Sequence, residues 1–208
     1  AGSRLHQISC SAGLAFVKGG DGKTPEDLVK QADLALLWAR DEGGGTWQQF
    51  NLKMMKEIEE QQRLETDLRA AVANCELDLH YQPIADLDGK GVVVCEALMR
   101  WEHKTRGMIP PSTFIPIAEN LGLISEMGGW LLKKACLDCA NWPGDISVAV
   151  NLSPLQFRHG DIDQQVFDAL RESGLAPERL ELEITESCML DNMDDAIAKL
   201  RAFKKTGV

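Results

Sequence analysis

The stretch Gly91-Val92-Val93-Val94-Cys95-Glu96-Ala97-Leu98-Met99-Arg100-Trp101 sets two opposite charges into an otherwise apolar, β-branched run. The run predicts a buried strand. Strand side chains alternate between faces, so Glu96, Leu98 and Arg100 share one side, and Cys95, Ala97, Met99 and Trp101 the other. Burying an unpaired carboxylate costs roughly several kcal/mol, so Glu96 calls for a cation, a metal or a set of donors. Two readings stand side by side: a structural Glu96–Arg100 ion pair, and a functional carboxylate.

Downstream of this strand the pattern alternates. Helices are expected over Ser112–Leu121, Ser125–Trp142, Ile162–Ser173 and Met193–Thr206, and strands over Ile146–Asn151 and Leu180–Thr185, with Leu77–Gln82 as a strand upstream. Such βα alternation implies an α/β fold with a mostly parallel sheet, here the first half of a TIM-like (β/α) barrel. In ISVAVN and LELEIT the alternation places Asn151 and Glu183 at strand ends comparable to that of Glu96. Two carboxylates and an amide suit a hard cation such as Mg²⁺, Mn²⁺ or Ca²⁺, which takes all-oxygen shells. Taken singly, Asn151 also fits a turn residue before Ser153-Pro154, and Glu183 an exposed residue on a half-buried strand.

Upstream the chain divides. Residues 51–76 are highly charged, with Leu52, Met55, Ile58, Leu64, Leu68 and Val72 mostly at helical spacing, and predict a connecting helix. Residues 1–50 predict a small α/β remnant: a strand over Ile8–Val17, a helix from Pro25 to Arg40 capped by Thr24, and a short strand over Thr46–Phe50. That is too little for an independent core. The expected domains are therefore 1–50, 51–76 and 77–208.

At 208 residues, 44% apolar and a net charge of -10, the chain is globular in type. The sequence has no Lys/Arg-rich run, which argues against binding a nucleic-acid polymer. A nucleotide ligand needs only a metal and one or two Arg side chains. Six scattered cysteines suggest reduced thiols in a cytoplasmic protein. Cys136 and Cys139 form a C-x-x-C on an amphipathic segment with no second pair or spaced His, so core packing is favoured over zinc. No apolar run approaches the ~20 residues of a membrane span. The chain does not begin with Met and is expected to start inside a longer protein.

Four ordered motifs resemble the EAL-type cyclic di-GMP phosphodiesterase domain: Tyr81-Gln82-Pro83-Ile84; Glu96-Ala97-Leu98 with Arg100-Trp101; Asn151-Leu152-Ser153 with Gln156-Phe157; and Glu181-Leu182-Glu183-Ile184-Thr185-Glu186-Ser187. Residues 1–50, through Ser11-Ala12-Gly13, Ala32-Asp33-Leu34-Ala35-Leu36, Ala39-Arg40 and Phe50, look like the C-terminal tail of a GGDEF-type diguanylate cyclase domain. The resemblance implies Glu96, Asn151 and Glu183 as ligands of Mg²⁺ or Mn²⁺, with Glu96 and Glu186 in catalytic roles and Glu186 anchoring a loop. It implies Arg100 on a phosphate, Gln82 facing a guanine and Leu98 against the substrate. The reaction implied is metal-assisted attack of water on one phosphodiester of cyclic di-GMP, giving the linear dinucleotide. The family's Asp-Asp pair and catalytic Lys would fall beyond Val208, so this chain alone is expected to be inactive. A half-barrel leaves a sheet edge open after Leu180–Thr185, to be covered by the rest of the domain or by a second copy in a homodimer. A non-catalytic cyclic di-GMP receptor and a scaffold using the helix at 51–76 are the alternative functions.

Overall fold

A computed structural model describes residues 9–18, 20–86, 91–159, 161–185, 188 and 193–208. The chain forms two compact units, 1–64 and 65–208.

In the first unit, β1 (Ala12–Leu14) pairs in parallel with β2 (Trp47–Gln49), and α1 (Pro25–Asp41) connects them. Thr24 and Asp27 cap α1 reciprocally: the Thr24 hydroxyl accepts from the Asp27 amide, and the Asp27 carboxylate accepts from the Thr24 amide. This satisfies donors that a helix start otherwise leaves orphaned. The amide and hydroxyl of Thr24 hold the Asp27 carboxyl below its usual range. A Cβ on Gly13 would lie 1.9 Å from the Ala32 carbonyl oxygen, so β1 can approach α1 only as glycine. The strand is shorter than its sequence pattern suggests, three residues rather than the predicted ten.

The helix α2 (Leu52–Ala73) runs from the first unit into the second. Within the second unit its residues Leu68 and Ala71 are buried, and Asp67 meets His103 Nε2 at 3.2 Å. The other ring nitrogen of His103 accepts the amides of Thr105 and Arg106.

The second unit carries β3 (Leu77–Asp86), β4 (Gly91–His103), β5 (Gly107–Ile109), β6 (Ser147–Leu152) and β7 (Leu180–Ile184) in one sheet. Its order is β3-β4-β6-β7, with β5 on the end of β4. The β4-β6-β7 part is parallel, as alternation predicts, but β3 pairs with β4 antiparallel. Only four residues separate β3 from β4, and a parallel crossover needs about a dozen. The short β5 carries too little periodicity to be read from sequence, and the helix α5 (Pro154–His159) begins where Ser153-Pro154 marks a helix start.

One face of the sheet is covered by α3 (Pro111–Asn120) and α4 (Ile124–Ala140), with α6 (Ile162–Ser173) packed on α4. Ala97, Met99 and Trp101 bury themselves there, Trp101 completely and edge-on to Phe114. Val148, Val150 and Leu152 of β6 are also buried. Tyr81 donates to Asp138 on α4 at 2.6 Å and stands edge-on to Trp142; burial, and then Asp138, raise its pKa. The Arg179 guanidinium donates to the carbonyls of Ile146 and Cys139, fastening the end of α4 to the entry of β7. Cys136 and Cys139 are buried free thiols, and burial pushes Cys136 up to about 12. The last helix, α7 (Met193–Thr206), is tied to α5 through Lys199, which donates to the Phe157 carbonyl.

Candidate functional site

The sheet face opposite the helices carries the predicted side chains, and strand register places them. Gln82 stands directly across from Glu96. Glu96 is beside Ala149, and Asn151 lies two residues further along the same strand, opposite Glu183. Because side chains alternate, Gln82, Glu96, Leu98, Arg100, Asn151 and Glu183 all project from this one face.

The closest contact is between two of the predicted ligands. Asn151 Nδ2 donates to Glu96 Oε1 at 2.7 Å, a hydrogen bond that turns the amide's donor end toward the carboxylate. Glu183 has its pKa raised, first by loss of solvation and then by the negative charge of Glu96, with Glu181 adding to it. The carboxylates of Glu96 and Glu183, the second with its charge disfavoured by the first, and the Asn151 amide on the strand between them offer oxygen donors suited to a hard divalent cation. Among the described residues, no group of three or more His, Cys, Asp or Glu side chains is gathered as a metal cage; Glu186 lies outside the described residues.

Glu96 and Arg100 do not form the ion pair that the sequence left open. Arg100 Nη1 donates to the carbonyl of Met99 at 3.0 Å, while Glu96 takes its hydrogen bond from Asn151. Four residues along a strand span about 13 Å, too far for a close pair. Arg100 instead stands opposite Asp78, two ladder positions beyond the Leu98–His80 pair.

Beside Asn151 opens a mainly apolar cavity of about 330 Å³, with Ile115, Ile124, Leu131 and Leu152 in its wall and Glu119 and Ser153 in its lining. Sequence reading missed these two polar residues. Ser153 Oγ donates to Glu119 Oε1 at 2.6 Å across 34 positions, and no local pattern announces such a contact. Gln156 is buried in the same wall, donating to Gln165, which donates in turn to Ser125.

A family model described as the EAL domain matches residues 65–208. The chain belongs to the EAL domain family. This EAL chain is 45% identical over 188 residues to an uncharacterized signaling protein of Caulobacter vibrioides, an alignment covering 90% of this chain and 23% of that protein. It is 38% identical over 206 residues to the bifunctional diguanylate cyclase/cyclic di-GMP phosphodiesterase MucR of Pseudomonas aeruginosa, covering 97% of this chain and 30% of that one. The EAL chain thus spans less than a third of the length of either relative. A solved structure of the PaMucR phosphodiesterase in complex with c-di-GMP superposes with a TM-score of 0.67 at 39% identity, over 70% of this chain and 61% of that one.

Proposed function

We propose that the protein carrying this EAL chain hydrolyses cyclic di-GMP to the linear dinucleotide, and that the Glu96 face is its active site. The observation that carries the reading is the Asn151–Glu96 hydrogen bond at 2.7 Å, with Glu183 on the neighbouring strand raised in pKa by loss of solvation and then by Glu96. Three oxygen-bearing side chains share one face of the adjacent parallel strands β4, β6 and β7. Relatives and solved structures named for cyclic di-GMP phosphodiesterases or their complexes support the substrate class.

Glu96, Asn151 and Glu183 would hold Mg²⁺ or Mn²⁺, with Glu186 a further carboxylate from the segment after β7. When bound, the metal supplies Lewis-acid stabilisation of phosphoryl charge and a nucleophile at neutral pH. Around it the protein's own groups position the substrate. Arg100 presents a planar donor fork that matches phosphate oxygens. Gln82, across the ladder from Glu96, offers both a donor and an acceptor to a guanine edge. Leu98, between Glu96 and Arg100 on the same face, gives a base an apolar surface to lie on.

In this reading residues 65–208 contribute the opening strands of a (β/α) barrel, and residues 1–50 are the tail of a GGDEF-type domain joined to it by α2. No helix among the described residues is long and apolar enough to cross a membrane, and we place the site in the cytoplasm, where its nucleotide would be made. Partner strands at the β7 edge would come from the same protein or from a second copy.

The test is hydrolysis of cyclic di-GMP by the full-length protein with Mn²⁺, followed by chromatography. Glu96→Ala should abolish turnover without altering circular dichroism. Wild-type-like turnover in Glu96→Ala would refute the assignment, and tight binding by a wild-type protein that never turns over would make it a receptor.

A further inference from the structure

Asn151 sits where the sheet lets go of β6 on one side. The β4–β6 ladder ends at Ala97–Val150, whereas the β6–β7 ladder runs on through Asn151–Glu183 and Leu152–Ile184. The strand end that carries Asn151 is therefore held in register by β7 alone, yet its amide must reach Glu96 on β4.

A side-chain tie replaces the missing rungs. Ser153 Oγ donates to Glu119 Oε1 at 2.6 Å, the short separation expected of a hydroxyl on a carboxylate. The same hydroxyl oxygen accepts the Leu155 amide at 3.2 Å, and the Ser153 carbonyl accepts the Phe157 amide at 2.9 Å. Glu119 lies in the last turn of α3, the helix that follows the β4–β5 hairpin and is itself anchored by the buried Phe114, Ile117 and Ala118. A serine needed only to start α5 would do so with its hydroxyl proton turned to water. The carboxylate fixes that proton and fastens the turn after Asn151 to the β4 side of the fold.

We infer that Glu119 and Ser153 are positioning residues for Asn151, holding the end of β6 so that the Asn151 amide stays on Glu96 and the metal-ligating geometry persists. The inference rests on the metal-dependent reading of this site. Partners that orient a metal's ligands are typically worth about 10- to 100-fold in metal affinity or activity.

The experiment compares full-length wild type with Ser153→Ala, Ser153→Thr, Glu119→Ala and the Ser153→Ala/Glu119→Ala double variant. Mn²⁺ binding is measured without substrate by electron paramagnetic resonance of the free ion. Half-saturating Mn²⁺, KM and kcat for cyclic di-GMP, and melting temperature are measured in parallel. The expected result is Mn²⁺ binding weakened about tenfold in both alanine variants. The double variant should be no worse than the poorer single one, since either change removes the same contact. Ser153→Thr, which keeps the hydroxyl, should bind Mn²⁺ like wild type. Saturating Mn²⁺ should restore kcat in the alanine variants, with KM unchanged. A lowered melting temperature with Mn²⁺ affinity within about twofold of wild type overturns the inference, since the tie is then only structural. Additive losses in the double variant also overturn it. A wild-type protein that neither binds Mn²⁺ nor turns over substrate overturns the phosphodiesterase reading, and the positioning role with it; active wild type with unchanged variants overturns the positioning role alone.

Discussion

Replacing Asn151 by Asp exchanges one amide nitrogen for an oxygen and reverses the sign of the closest contact in the site. At present Nδ2 donates to Glu96 Oε1 at 2.7 Å. In Asn151→Asp two carboxylates face each other instead, with Glu183, already raised in pKa by loss of solvation and then by Glu96, on the next strand. Like charges about 4 Å apart repel by about 1 kcal/mol in water and about 4 at an effective dielectric of 20. Asn151 is exposed and Glu96 half-buried, so about 1–2 kcal/mol is the applicable range. Loss of a hydrogen bond to a charged acceptor adds about 1 kcal/mol after solvent compensation. Urea denaturation near neutral pH without divalent cations should therefore show the variant less stable by about 2–3 kcal/mol. The repulsion raises the folded-state carboxyl pKa values above their unfolded ones. The penalty is thus present above those folded values and shrinks as pH falls through them, so the two proteins should converge toward about pH 4, leaving only the lost hydrogen bond. Millimolar Mg²⁺ should offset most of the neutral-pH deficit by pairing the added charge. A variant within about 0.5 kcal/mol of wild type at neutral pH, or a full deficit that persists unchanged in acid, would refute the electrostatic reasoning.

Glu183→Gln tests the same field from the other side. The folded carboxyl pKa is raised, so ionisation of Glu183 opposes folding above that value, and the variant should be slightly more stable than wild type at neutral pH. Solvent screening limits the gain to at most about 0.5 kcal/mol, and it should vanish in acid; a loss of stability at neutral pH would contradict the sign. Arg100→Lys should raise the KM for cyclic di-GMP several-fold with little change in melting temperature, because a point charge cannot supply the fork; a sharp fall in melting temperature at constant KM would make Arg100 structural. Gly128→Ala should destabilise by about 1–3 kcal/mol despite alanine's better helix propensity. A Cβ there would stand 2.3 Å from the buried Gln156 amide nitrogen, and pairing the change with Gln156→Ala should recover much of the loss in denaturant titrations. Strictly additive effects of the two changes would show that Gln156 does not fill the space above Gly128.

Much of this architecture is local and so was legible in the residues themselves. The pleat alone puts Glu96, Leu98 and Arg100 on the face opposite Ala97, Met99 and Trp101, and burial divides along that line: the latter three are buried and Leu98 and Arg100 are not. The cap at Thr24-Pro25-Asp27 was equally readable, because its donors and acceptors lie within one turn. The motifs from Tyr81 to Ser187 were enough to indicate the family, since they are short runs in fixed order. What periodicity does not carry is pairing. Register between β3 and β4 brings Gln82 opposite Glu96, and register between β6 and β7 brings Asn151 opposite Glu183; a slip of one residue would send either pair to opposite faces. The Glu96–Arg100 ion pair was open in the sequence and closed by distance, because extended chain separates residues that a helix would bring together. Glu119 and Ser153 meet across 34 positions. Their meeting depends on α3 packing beside the end of β6, and only the assembled sheet and its helices determine that.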